Sequence, residues 1–211
     1  MPEVTGLRER GGRVRVYVDG EFYAEVDALV AEERGLVEGF HVPEDELREI
    51  CNAGERALAM RRAFNLISYR ERSRGEVRER LVSKHEHSEE VVEGVIGRLV
   101  ELGYLDDVEF ARSAARQKAE RYGPRRIAFD LERAGLSKEL VARVVEEEFS
   151  SRDELEEARR AVEGRYNSRA VDGGDAISHK VYGFLTRRGY SSEVCAEVAS
   201  EYRAGNRKGD L

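Results

Sequence analysis

The chain has 211 residues, 40% hydrophobic and 37% charged, with a formal net charge of −7. That length can bury a real core as one large domain or two small ones, and the net charge taken alone argues against a nucleic-acid binder. No apolar run is long enough to span a bilayer. The apolar residues recur periodically, so the excess charge points to helices with solvated faces rather than to disorder. The total also hides an alternation. Residues 56–84 carry nine Lys or Arg against three Asp or Glu, residues 85–111 one against eight, and residues 112–126 six against one. Cys51 and Cys195 form no spaced motif. With an N-terminus that lacks a secretory apolar core, they read as reduced thiols of a cytoplasmic protein.

Taken in order, Val4–Glu9 is a candidate strand before the Gly11-Gly12 turn. In Arg13-Val-Arg-Val-Tyr-Val18 the valines fall on one face, and Asp19-Gly20 is a two-residue hairpin turn into the return strand Glu21–Val26. Asp27–Arg34 reads as a short helix stopped by Gly35, and Pro43 opens a helix through Glu44–Ile50 with an acidic first turn. From Glu55 the pattern is helical almost to the end. Ala57, Leu58, Ala63, Phe64 and Ile67 share a face. Ser73-Arg-Gly-Glu76 is a capping box for a second helix, with Val77, Leu81 and Val82 inward. Ser88 caps a third, with Val91, Val92, Val95, Ile96, Leu99 and Leu102 inward and Gly103 beyond its end.

This unit recurs. Leu81, Leu131 and Leu185 end second helices; His85, Gly135 and Gly189 follow four residues later; Ser88, Ser137 and Ser191 open the third helices, with one extra residue in the first copy's turn. The expected fold class is mainly α, three tandem three-helix repeats in an elongated array behind a small N-terminal β-hairpin element with short helices. The expected segments are 1–54, 55–105, 106–150 and 151–211.

Asp106-Asp107-Val-Glu109 gathers three carboxylates that could suggest a divalent metal; we read them as a helix cap, and expect no metal or cofactor. His85-Glu-His87 offers two imidazoles, too few for zinc, and reads as a solvated turn; His41 and His179 are isolated. No serine lies in a nucleophile elbow, and there is neither a phosphate loop nor a dinucleotide fingerprint, so no enzyme activity is expected. What remains is basic. Arg70, Arg72, Arg74, Arg78 and Arg80 crowd one helix junction, and Arg112, Arg116, Lys118, Arg121, Arg125 and Arg126 crowd the next, around Tyr122-Gly-Pro124. Arg125 and Arg126 sit in a first turn, where the dipole disfavours cations. That suggests an anion held at the exposed N–H groups.

Ser68-Tyr-Arg-Glu-Arg-Ser73 with Glu76-Val77 and Leu81, then Gly103-Tyr-Leu-Asp-Asp-Val-Glu-Phe-Ala111, Gly123-Pro-Arg-Arg-Ile127 and Leu131-Glu-Arg-Ala-Gly135, resemble the RecX family of bacterial regulators of the RecA recombinase. The resemblance covers roughly Arg56 to Tyr202, and the hairpin-bearing N-terminus resembles extended members. It implies three tandem three-helix repeats, a role in DNA recombination and repair, and binding in the groove of the RecA–DNA filament with inhibition or modulation of ATPase and strand exchange. The two arginine sets would contact the filament and its single- or double-stranded DNA, with the protein a monomer. The third repeat departs most, with a long loop Asn167–Gly174. The alternative reading is a stand-alone DNA-binding regulator whose three-helix units act like helix-turn-helix readers.

Overall fold

In the computed structural model, which describes residues 1–166 and 174–203, the alternating valines become the inner face of a three-stranded antiparallel meander. Its strands are β1 (Val4–Glu9), β2 (Arg13–Val18) and β3 (Glu21–Asp27). The β2–β3 turn needs positive φ at both central residues, and Asp19 and Gly20 adopt 49° and 87°. Val14, Val16 and Val18 join Val4, Val26, Ala31, Leu36, Val42, Leu47 and Ile50 in one core. Asp27 caps α1 (Ala28–Glu33), its carboxylate accepting the Leu29 N–H at 3.0 Å.

Sequence pattern separates a helix at Glu44–Ile50 from a helical run beginning at Glu55, whereas the two are one 26-residue helix, α2 (Glu44–Tyr69). Its first half closes the sheet core with Leu47, Ile50 and Cys51, and its second half opens the next core with Ala59 and Ala63. Gly54 permits the passage between them, because a Cβ there would lie 2.5 Å from Cβ of Val26. The helix passes too close to β3 for any side chain at that point.

The first triplet is completed by α3 (Arg74–Glu79), a π-helical turn (Arg80–Lys84) and α4 (Glu89–Glu101), around Val77, Leu81, Val92, Val95, Ile96 and Leu99. The second comprises α5 (Asp107–Ala119), α6 (Pro124–Arg133) and α7 (Lys138–Phe149), around Ala111, Ala115, Ile127, Leu131, Val141 and Val144. The third comprises α8 (Glu154–Tyr166), α9 (Asp175–Arg188) and α10 (Ser192–Arg203), around Ala158, Val162, Val181, Leu185, Cys195 and Val198. The fold is mainly helical with a small N-terminal sheet, as its pattern predicts. By contacts the chain divides into two compact units, Met1–Asp106 and Asp107–Leu211. Residues 167–173 of the loop expected to be long lie outside the described residues.

The repeat is visible in its geometry. Leu81, Leu131 and Leu185 are at most 2% exposed. Ser88, Ser137 and Ser191 accept the N–H of Val91, Leu140 and Val194 at 3.4, 3.3 and 3.3 Å. A carboxylate from the first helix also reaches the third helix's start in two triplets. Glu55 accepts the Ser88 N–H at 3.0 Å and Glu154 the Ser191 N–H at 2.6 Å. The left-handed residue that ends the second helix is Gly135 at 84° and Gly189 at 85°, but in the first triplet it is Glu86 at 55°, one position later. The π-helical turn accounts for the shift. Widening one turn to i→i+5 hydrogen bonding absorbs the one extra residue while Leu81 stays in the core.

Candidate functional site

Ser73 is fully buried, and its hydroxyl accepts the Glu76 N–H at 3.1 Å, which fixes the turn between α2 and α3. The Glu76 carboxylate is gripped by Arg70 through two hydrogen bonds, 3.1 and 2.5 Å long, while Arg70 also donates to the Glu71 carbonyl at 2.8 Å. Arg72 lies inward. Its side chain is only 14% exposed, donates to the Leu66 carbonyl at 3.2 Å, and sits 3.9 Å from Glu76. Burial, then the like charges of Arg70 and Arg80, push its pKa below the ordinary guanidinium value, though it stays charged. Arg72 therefore builds the turn as much as it charges it. Arg70, Arg74, Arg78 and Arg80 are exposed, with Arg78 paired to Glu93 of α4. Beside them Tyr69 is 90% exposed.

The second arginine set is dispersed over several tasks. Arg112 pairs with Glu147 of α7 at 3.3 Å. Lys118 and Arg126 converge on Asp130 at 2.7 and 3.0 Å, and the Arg126 guanidinium lies 5.9 Å from the ring centres of both Tyr122 and Phe129. Arg125 donates to the Ser192 hydroxyl at 2.9 Å, and Arg116 and Arg121 are exposed. The anion expected at the start of α6 has no room there. The Gly123 N–H donates to the Arg188 carbonyl at 2.8 Å, and the Arg125 N–H donates to the Gly189 carbonyl at 3.1 Å. The carbonyl end of α9 thus fills the amide end of α6, and it supplies the negative partial charge beside Arg125 and Arg126. Two glycines make this contact possible, since a Cβ on Gly123 would lie 2.6 Å from the Gly189 carbonyl oxygen.

A third basic group, absent from the sequence reading, lies where the sheet meets α2. Arg62, its side chain 13% exposed, donates to Glu25 at 2.8 Å and to the His87 ring at 2.8 Å. A guanidinium only donates, so Nε2 of His87 accepts and the ring is neutral. Its Nδ1 faces Glu55 at 3.4 Å. Burial, then the Arg62 charge, hold the His87 pKa below the usual imidazole value, against the opposing pull of Glu55. The solvated turn expected at His85–His87 is thus corrected for His87, which is 7% exposed and held by Arg62 and Glu55 of α2. Arg61 pairs with the buried Asp27 at 2.9 Å and donates to the Gly12 carbonyl at 2.5 Å. Burial raises the Glu25 pKa, but Arg62, Arg13 and Arg15 together outweigh it and leave the carboxyl below its ordinary value. Nothing local marks Arg61 and Arg62 in the sequence, because their partners lie 23 to 49 residues away.

Among the described residues, no group of three or more His, Cys, Asp or Glu is arranged to hold a metal ion, and no helix is long and apolar enough to cross a membrane. His41 and His179 bond through Nδ1 to nearby carbonyls, of Gly39 and Asp175. Both cysteines are free and buried; burial pushes the Cys51 thiol up to about 11 and raises that of Cys195, which makes each a poor nucleophile.

Family models of the first and second three-helix domains of RecX match residues 59–99 and 106–145. Regulatory protein RecX of Listeria welshimeri is 29% identical over 191 residues, which cover 90% of this chain and 70% of that protein. The protein of the same name from Caldanaerobacter subterraneus subsp. tengcongensis is 28% identical over 162 residues, 76% of this chain and 82% of the relative. A crystal structure of regulatory protein RecX aligns over 95% of this chain and 100% of its own, with a TM-score of 0.58 and 23% identity, a likeness of fold.

Proposed function

We propose that this chain, which belongs to the RecX family, is a non-enzymatic regulator that binds the RecA–DNA filament and modulates, chiefly by inhibition, its ATPase and strand exchange. The observation that carries the reading is the α2–α3 turn. There Arg70 and Arg72 share the single carboxylate Glu76, and Arg74, Arg78 and Arg80 are exposed around them. A filament groove offers protein carboxylates and DNA phosphates side by side, and the planar guanidinium fork binds either in two-point fashion. Ser73 and Leu81 hold the turn rigid, so little ordering entropy is lost on contact. In the second unit, taken by itself, Arg116 and Arg121 are exposed and add contacts of their own, while Arg112, Lys118, Arg125 and Arg126 contribute from positions already tied to Glu147, Asp130 and Ser192. Glu89 and Glu90 on α4 limit the attraction of these arginines to free DNA, so the filament is their target. The protein acts as a cytoplasmic monomer without a cofactor, through the segments 55–105, 106–150 and 151–211, with 1–54 attached to the first.

The test is ATP turnover and filament assembly by the cognate RecA on DNA, with wild type and with Arg74→Glu/Arg80→Glu. Wild type changes turnover at stoichiometric amounts, and the double variant loses most of that effect; no change with wild type sinks the reading. A stand-alone DNA reader would instead bind duplex DNA tightly and sequence-dependently without RecA.

A further inference from the structure

We infer that the outer face of the N-terminal sheet is a contact surface for single-stranded nucleic acid, separate from the arginines of the helical repeats. Strand register sets its composition. Outward from β2 come Arg13, Arg15 and Tyr17. Opposite them on β1 stand Arg8, paired with Arg15, and Gly6, paired with Tyr17. On β3 stand Asp27, Glu25 and Phe22, paired with Arg13, Arg15 and Tyr17.

Three features of this face are costly for a surface with no partner. Arg8 and Arg15 are directly opposed like charges on neighbouring strands, an arrangement that destabilises a sheet. The single carboxylate of Glu25 serves Arg13 at 3.5 Å, Arg15 at 3.4 Å and Arg62 at 2.8 Å, so guanidinium is in excess. The excess is real in charge as well as count, because Asp27 is already engaged by Arg61. Finally, Phe22 leaves 58% of its surface in water.

The rings and the charges are arranged together. Tyr17 lies over Gly6, and it takes Phe22 edge-on at 6.0 Å and Arg8 over its face at 5.1 Å. An exposed planar ring next to an arginine excess fits a chain of unstacked bases joined by phosphates, with Phe22 offering a stacking platform and Arg8 and Arg15 meeting the backbone. A duplex, its bases already stacked, could use only the charges. The inference requires no recombinase and goes beyond the filament reading.

The experiment is fluorescence anisotropy of a labelled oligothymidylate, and of a duplex of equal length, with the full chain and no RecA. Phe22→Ala weakens oligothymidylate binding by about tenfold and leaves the duplex unaffected. Phe22→Leu, which keeps the apolar contact with Tyr17 but loses the flat ring, fails to restore it. Arg8→Ala/Arg15→Ala lowers the slope of log affinity against log salt by about one to two. Wild type that does not bind the oligonucleotide, variants that bind it like wild type at every salt, or an equal loss on the duplex with Phe22→Ala would each overturn the proposal. The filament reading is judged separately, by ATP turnover with Arg74→Glu/Arg80→Glu, so the two fail independently.

Discussion

The second helices α3 and α6 begin at equivalent places in their repeats, each with arginines in or beside the first turn, yet their N-termini are satisfied in opposite ways. At α3 the helix caps itself, with the buried Ser73 hydroxyl on the Glu76 N–H. At α6 there is no side-chain cap; Gly123 precedes Pro124, and the carbonyls of Arg188 and Gly189 take the Gly123 and Arg125 N–H groups. The same basic signal therefore marks a solvent-facing turn in one triplet and a joint between the second and third triplets in the other. A self-capped turn leaves its arginines to pair with nearby carboxylates such as Glu76 and Glu93, whereas a joint also answers them with the carbonyls of a neighbouring helix.

The largest expected effect comes from forcing the joint apart. Gly189 sits at φ +85° with the Arg126 backbone nitrogen where a Cβ would go. Gly189→Ala should cost about 3 kcal/mol in urea unfolding, through backbone strain and overlap together. Gly103→Ala, at φ +75° with open space around it, should cost only about 1 kcal/mol. Equal losses would mean that the α6–α9 contact is not tight.

Next in size is Arg62→Ala, which leaves Glu25 only its longer contacts with Arg13 and Arg15 and removes the donor to His87; roughly 2 kcal/mol should be lost. It would place the first unit's electrostatic keystone at the sheet and not at the α2–α3 turn. Ser73→Ala should cost about 1 kcal/mol by removing the cap that α6 never had. The smallest effect concerns pH. His87 has a folded pKa below its unfolded value near 6.5, so folding excludes a proton. Its contribution is complete above about pH 6.5 and is lost as pH falls through and below that value. The melting temperature of wild type should therefore fall more between pH 7.5 and 5.5 than that of His87→Gln; parallel curves would show that His87 does not titrate in this way.

Much of the architecture was legible because it is local. Alternating valines, the Asp19-Gly20 turn and the serines that open α3, α4, α7 and α10 act within a few residues of themselves, and so does the leucine that ends each second helix. The extra residue of the first repeat was legible too, but not the π-helical turn that absorbs it. The candidate site was legible only as a density of arginine. Which guanidiniums are spent on Glu76, Asp130 or Glu147 depends on helices brought alongside by packing, and Arg72 looks no different in sequence from Arg74.

By itself, then, the sequence determined the helical repeat, the small sheet and the concentration of positive charge, since caps, turns and periodic burial are short-range properties of the chain. Tertiary structure decided what the charges do. It made α2 one helix serving two cores and buried His87 between Arg62 and Glu55. It closed the start of α6 with the end of α9, and it set three arginines around Glu25. The physical reason is range: an arginine is worth little until its partner, its burial and its water are fixed, and residues distant in sequence fix all three.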